Sequence, residues 1–369
     1  MSSHKEGRTG INLKNKQCRS TDQTRPGAGK SLLLLTVGTI NYDNDINFYE
    51  PLREFGFEVV RYNYIERLQQ VGKHKMNQEI LEMAQRKNPD FIFLITYQSQ
   101  ISRKTLRKLH EQGLKVVGWF SDDHWRFDRY SKKFAKHLFC SITTDVNAIS
   151  KYKANNLKVI KSQWASNPKY YRPVHGKENY DVTFVGQKYG IRINVIDNLL
   201  KNNIPIQVFG RGWDKYILFD EIVTIFSNSK INLNISSSYK DKRIKQIKGR
   251  VFEVPMCGGF LLTDYVDGLE DYFKIGEEIV CYETQKDLVE KIIYYLENEE
   301  ERKTIAMNGY RACHQRHTWR HRFTDIFMAL DDMVGKGNLG AEPDMKEKKR
   351  VKANLTEDYE YITDNTSTT

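Results

Sequence analysis

From Leu32 onward, short runs rich in β-branched and aromatic residues alternate with segments whose apolar residues recur at helical spacing. The runs Leu32–Val37, Phe57–Tyr62, Phe91–Thr96, Leu114–Phe120 and Leu138–Thr143 predict five strands. Phe91-Ile92-Phe93-Leu94-Ile95 is apolar throughout rather than alternating, which marks a strand covered on both faces. Ile80, Leu81 and Ala84 share one helical face, as do Leu106 and Leu109. The stretch Gln163–Lys177 is polar and aromatic, and its Pro168 and Pro173 cannot continue a helix, so it reads as a connection. The rhythm then resumes, with strands predicted at Asp181–Val185, Pro205–Phe209, Lys230–Ile235, Gly259–Thr263 and Glu278–Tyr282. Leu288, Val289, Ile292, Ile293 and Leu296 mark one helix; Trp319, Phe323, Ile326, Phe327 and Leu330 mark a second, strongly amphipathic one. The pattern predicts an α/β protein of two tandem doubly wound domains.

Composition narrows the class. The 369 residues suffice for two domains of ordinary size. Residues 1–30 and 335–369 hold almost no large apolar side chains and are expected to be disordered tails. No run approaches the ~20 apolar residues that span a bilayer, and Met1–Lys5 opens no signal-like apolar segment. Five cysteines without a CxxC pair fit a reduced, cytoplasmic protein and exclude disulfide scaffolds and structural zinc modules. Lys and Arg outnumber Asp and Glu by 58 to 47, a net charge of +11. That excess favours anionic partners such as nucleotides and leaves room for peripheral association with a membrane. No nucleic-acid-binding signature accompanies it.

Gly27-Ala28-Gly29-Lys30-Ser31 ends like a phosphate-binding loop, but Thr24 stands where the first glycine belongs. The apolar strand also follows the Lys-Ser pair instead of preceding the loop. Lys248-Gly249-Arg250-Val251-Phe252-Glu253 is more informative. A short helix should begin near Gly249 and stop at Gly258-Gly259, feeding the strand that ends at Thr263. Free amides at such a start, with Lys248 and Arg250 beside them, suit a diphosphate; Glu253, one turn in, suits the hydroxyls of a ribose. An ordinary helix with a glycine cap explains the same residues. Gly186, with Arg192 six residues on, and Gly210-Arg211-Gly212 each end a predicted strand, where open α/β sheets bind ligands. Plain βα turns account for them equally well.

The segment Ser229–Phe323 resembles the C-terminal domain of group 1 glycosyltransferases, on the branch that includes spore maturation protein CgeB. Its motifs stand at Lys230–Asn234, Arg250–Glu253, Cys257–Thr263, Glu277–Tyr282, Glu299–Arg302 and His317–Arg322, over about a quarter of the chain. The resemblance implies a GT-B fold, two facing Rossmann-like domains. The expected division is a basic tail at 1–30, an acceptor domain at 31–165, a linker at 166–177, a donor domain at 178–317, a crossover helix at 318–334 and a charged tail at 335–369. It further implies that Glu253 contacts the ribose of a nucleotide-diphosphate sugar. Gly186, Arg192, Gly210, Arg211, Lys248, Gly249, Arg250, Gly258 and Gly259 would share the donor site. Many group 1 enzymes carry a second Glu eight positions before the first; here that position is Lys245, which weakens a retaining assignment.

In the first domain, Trp119-Phe120-Ser121-Asp122-Asp123-His124-Trp125 follows a strand directly. Paired carboxylates beside a His can accept a proton or orient a hydroxyl, and they can equally cap a helix. An Asp-Asp pair after a Trp is common in CgeB-like proteins, so Asp122, Asp123 and His124 are the expected catalytic residues, with no metal and no cofactor beyond the sugar donor. Gly38 and Asn41, in the loop after the first strand, are expected on the acceptor side. His314, His317 and His321 complete no ligand set and read as solvated residues near the domain junction. The expected activity is transfer of a sugar to an acceptor. A nucleotide-sugar epimerase and a non-catalytic nucleotide-sugar-binding protein are the alternatives.

Overall fold

The structure, a computed structural model, describes residues 25–37, 45–95, 98–215, 217–237 and 243–335. The first sheet has six parallel strands in the order β2-β1-β3-β4-β5-β6. They are β1 (Ser31–Thr36), β2 (Glu58–Asn63), β3 (Phe91–Ile95), β4 (Val116–Phe120), β5 (Cys140–Thr143) and β6 (Val159–Lys161). The connecting helices are α1 (Glu50–Glu54), α2 (Tyr64–Lys87), α3 (Arg103–Glu111), α4 (Asp123–Arg126), α5 (Lys132–Ala135) and α6 (Ala148–Ala154). Gly72, at φ +77°, breaks α2 into two segments. The Asn63 and Ser102 side chains accept the third amide of α2 and α3, 3.2 and 3.0 Å away, which sets where each helix starts.

The second sheet has five parallel strands in the order β11-β10-β9-β7-β8. They are β7 (Tyr180–Val185), β8 (Ile206–Phe209), β9 (Ser229–Asn234), β10 (Leu261–Asp264) and β11 (Val280–Tyr282). Around them lie α7 (Arg192–Lys201), α8 (Phe219–Ser227), α9 (Arg250–Met256), α10 (Gln285–Glu297) and α11 (Glu299–Arg316). Every strand expected from the apolar runs is present within about two residues of its expected ends; β6, three residues long, was not foreseen. Strand β3 is buried at all five positions, as its unbroken apolar run requires.

The last helix, α12 (Trp319–Gly335), leaves the second domain and packs into the core of the first. Its Trp319, Phe323, Ile326, Phe327 and Leu330 are all buried beside Phe48, Phe55 and Phe93. At about 1.5–3 kcal/mol per large apolar side chain, that stripe contributes on the order of 10 kcal/mol of gross burial. Trp319 Nε1 donates to Asn47 Oδ1 at 2.9 Å, so the indole enters the core without losing its hydrogen bond. The buried Arg322 fixes the crossing point: it donates to Trp164 O at 3.2 Å and lies over the rings of Phe252 and Tyr272. His317 is buried as well, 3.1 Å from Arg322 Nη2 and 2.6 Å from Tyr272 O. It is therefore a packing residue, not a solvated one; His314 and His321 are half-buried.

Residues 25–30, counted with the tail in the sequence reading, form a turn. Gly27 is buried, its amide bonded to Phe55 O at 3.0 Å, and Lys30 pairs with Asp331 of α12 at 2.8 Å. This turn leads into β1 rather than cradling an anion, so the Gly-Lys-Ser run is not a phosphate loop. The two domains also meet away from the cleft. Asn147 donates to Asp267 at 3.0 Å and Lys161 pairs with Asp271.

Candidate active site between the two sheets

In each sheet the strand order reverses beside its first strand, between β1 and β3 and between β7 and β9. The carboxyl ends of the strands at such a reversal leave a crevice between loops that turn opposite ways. Here the two crevices face one another and enclose a cleft of about 790 Å³. That is within the range of small-molecule sites. Asp122 lines it from the first domain; Gly186, Gly210, Arg211, Lys248, Gly249, Arg250 and Glu253 line it from the second.

The second-domain wall is cationic. Arg250, at the start of α9, donates from Nε to Asn234 Oδ1 at the end of β9, 3.3 Å away. Arg192, at the start of α7, is buried; its Nη1 donates to Gln187 O at 3.0 Å, while its buried Nε has no hydrogen-bond partner among the described residues. It stands behind the cleft wall rather than on it. Lys248, half-buried on the cleft wall, is near enough to feel both charges. Burial, reinforced by the charges of Arg192 and Arg250, pushes its ammonium down to about 7, with Asp122 and Asp264 pulling the other way. Burial and Arg250 likewise push Arg192 down to about 9. Like charges this close disfavour the charged forms of Lys248 and Arg192, and an anion placed beside them relieves both.

The amides of α9 contribute less than its side chains. The N–H groups of Val251, Phe252 and Glu253 are already bonded to Lys248 O or Gly249 O within the first turn. Glu253 folds back over Gly249: a Cβ at position 249 would lie 2.6 Å from its Oε1. The missing side chain of Gly249 is thus what lets the carboxylate reach the cleft. The two glycine turns pack on each other as well. Gly210, at φ +119°, would place a Cβ 2.7 Å from Gly186 O, and at Gly186 a Cβ would lie 3.3 Å from Arg250 Nη1.

Gly258 and Gly259 do not line the cleft, contrary to the donor-site expectation. Gly258, at φ +73°, ends the turn after α9 beside Pro173. A Cβ on Gly259 would meet Phe226 O at 2.4 Å. Both serve the packing of α9 against the sheet, at the opposite end of that helix from Arg250.

Of the expected catalytic trio, only Asp122 lines the cleft; it pairs with Arg126 at 3.4 Å. Asp123 is fully buried and accepts from Tyr152 Oη at 2.9 Å, so it ties α4 to α6 instead of meeting a substrate. Burial pushes its carboxyl up to about 6 against hydrogen bonds that pull it down. His124 is half-buried; burial, then Lys248, pushes it down to about 3, so it is a neutral imidazole at physiological pH. Lys245 turns away from the cleft to the end of β10, donating to Tyr265 O at 2.9 Å and lying 3.5 Å from Asp264. Gly38 and Asn41 lie outside the described residues. Among the described residues, no three His, Cys, Asp or Glu side chains form a metal-ligand set.

Sequence reasoning missed the apolar half of the second-domain wall. Tyr171 from the connection and Phe219, Ile222 and Phe226 from α8 line it. The i, i+3, i+7 spacing of those three predicts one helical face, but nothing local says that the face meets a cavity. Gln246, which joins the two walls, carried no motif.

Residues 192–328 match the glycosyl transferase-like family. Spore protein CgeB of Bacillus subtilis is 20% identical over 251 residues, covering 60% of this chain and 77% of CgeB. This similarity agrees with the CgeB-like motifs read from the sequence. A protein of Aquifex aeolicus is 25% identical over 163 residues, 43% of this chain, and the match spans 36% of that protein's length. Anabaena HepE, solved with UDP-glucose, superimposes with a TM-score of 0.60 at 11% identity, over 82% of this chain and all of that one. The fold is GT-B. No described helix is long and apolar enough to cross a membrane.

Proposed function

We propose that the protein transfers a sugar from a nucleotide-diphosphate donor to an acceptor hydroxyl held on the first-domain side of the cleft. The observation that carries this reading is the convergence of Arg192, Lys248 and Arg250 at the ends of β7 and β9, with the Glu253 carboxylate beside them. The donor diphosphate sits against Lys248 and Arg250, with Arg192 behind them, and Glu253 accepts hydrogen bonds from the ribose hydroxyls. The apolar wall of Tyr171 and Phe219 takes the flat face of the base. HepE, of the same fold, was solved with UDP-glucose, which makes a uridine donor the first to try.

In the transfer, the bond from the anomeric carbon to the β-phosphate oxygen breaks and a bond to the acceptor oxygen forms. Negative charge grows on the departing diphosphate, where the fixed cations stabilise it. Asp122 faces this charge from the other wall and orients the acceptor hydroxyl or takes its proton. Metal-independence is part of the proposal, since the side chains supply the neutralising charge.

Arg250→Ala and Glu253→Ala should each weaken UDP binding at least tenfold, read by calorimetry, with the melting temperature of the free protein little changed. Unaltered affinity in both variants would refute the site. Acceptor-dependent release of UDP from UDP-sugar separates transfer from epimerisation, which converts the donor with no acceptor present.

A further inference from the structure

The Gln246 side chain crosses from the second domain to the first beside the cleft, between Lys248 and Ser121 that line it. With its amide oriented as its neighbours require, its nitrogen donates to Ser121 O at 3.2 Å. The same nitrogen lies 2.9 and 3.1 Å from Nδ1 and Nε2 of His124. Its oxygen accepts from Lys248 Nζ at 3.1 Å. An amide is the one neutral side chain that can donate to the first pair and accept from the third. His124 suits this role: a neutral ring always offers one unprotonated nitrogen, and this ring is held neutral by burial and by Lys248.

We propose that Gln246 is a positioning residue that couples the closure of the two domains to the aim of the Lys248 ammonium at the donor. The inference rests on the reading that Lys248 meets a diphosphate. When the domains are apart, Gln246 loses Ser121 and His124 and no longer holds Lys248 in place. When they are together, the ammonium is pinned beside the groups that face it: Arg192 of α7, Arg250 of α9, Asp264 of β10, and Asp122 and His124 of the first domain. A ligand bound to the second domain thereby senses a residue of the first that lies off the cleft wall.

The test is a double-mutant cycle across the domain boundary, with UDP as probe and ADP and GDP in parallel, read by calorimetry on the full chain. Gln246→Ala and His124→Ala are each expected to weaken nucleotide binding five- to tenfold, the usual size of one intramolecular hydrogen bond. The double variant should be no weaker than the poorer single variant. Effects that multiply instead overturn the proposal. Gln246→Leu replaces the alanine variant if the latter does not fold. Gln246→Glu adds a readout that a purely structural residue would not move. A carboxylate beside Lys248 should raise the pH midpoint of binding by at least one unit, and an unmoved midpoint again overturns the coupling. If Arg250→Ala weakens binding but the cycle is additive, the donor reading stands and only the coupling falls. If none of the nucleotides binds the unaltered protein, both fall.

Discussion

Lys248 makes donor binding depend on pH in a direction that its surroundings dictate. In the free protein its ammonium is pushed down to about 7, far below the ordinary lysine value, by burial and then by the charges of Arg192 and Arg250. Above pH 7 the side chain is increasingly neutral. A diphosphate placed beside it favours the charged form. One opposite charge at about 4 Å and an effective dielectric constant near 20 is worth about 4 kcal/mol, or roughly three pH units, enough to restore the ordinary value. Binding therefore takes up a proton, and affinity falls as pH rises. Between pH 7.5 and 8.5 the loss approaches tenfold, about 1.4 kcal/mol. This window lies above the last ionisation of UDP, near 6, and below Arg192, pushed down to about 9. Calorimetry in two buffers of different ionisation enthalpy measures both the affinity and the proton uptake, expected to approach one per UDP at pH 8.5. Lys248→Met should bind more weakly at pH 7 and show neither dependence. A wild-type affinity flat across this window, with no proton taken up, would show that Lys248 does not face the diphosphate.

Three further outcomes follow from the packing. Gly249→Ala places a methyl 2.6 Å from Glu253 Oε1, so the carboxylate must swing away; UDP affinity should drop roughly tenfold while the melting temperature stays near that of the parent. Gly259→Ala meets backbone, Phe226 O at 2.4 Å, which cannot swing away. It should cost about 2–4 kcal/mol in chemical denaturation, whereas the folded fraction keeps its nucleotide affinity. Asp123 titrates near 6 in the folded protein and near 3.8 unfolded, so the folded form holds the extra proton and this group's contribution to stability falls as pH rises from about 4 to 6. Asp123→Asn keeps an oxygen for the Tyr152 hydroxyl and should remove that fall, about 3 kcal/mol, from the stability–pH profile. A profile identical to the parent's would contradict the buried placement.

What local chemistry could specify was legible before any coordinates. An unbroken apolar run such as Phe91–Ile95 can be stable only as a strand covered on both faces, and the stripe from Trp319 to Leu330 can be stable only against a core. The stop at Gly258 belongs to the same class, because a left-handed turn there favours glycine. Arg250 and Glu253 were legible because both stand in one short motif, four positions or fewer apart, on the turn that opens α9.

Tertiary structure decided the rest, for one reason: burial and proximity depend on which distant segments meet. Asp122 and Asp123 are neighbours of identical chemistry, yet one lines the cleft and the other sits fully buried under Tyr152. The alternation of faces at the start of α4 separates them, and no spacing in the chain reveals which face is which. The Gln246 amide joins residues more than a hundred positions apart. Its partners exist only once both sheets have formed and α12 has drawn the domains together. Lys248 owes its weakened ammonium first to burial and then to Arg192, from another helix of the same domain; in the unfolded chain it has neither. Short-range pattern thus determined the elements and half of the cationic cleft wall. Long-range packing determined which charges stay solvated, and through that, which side chains are left to do chemistry.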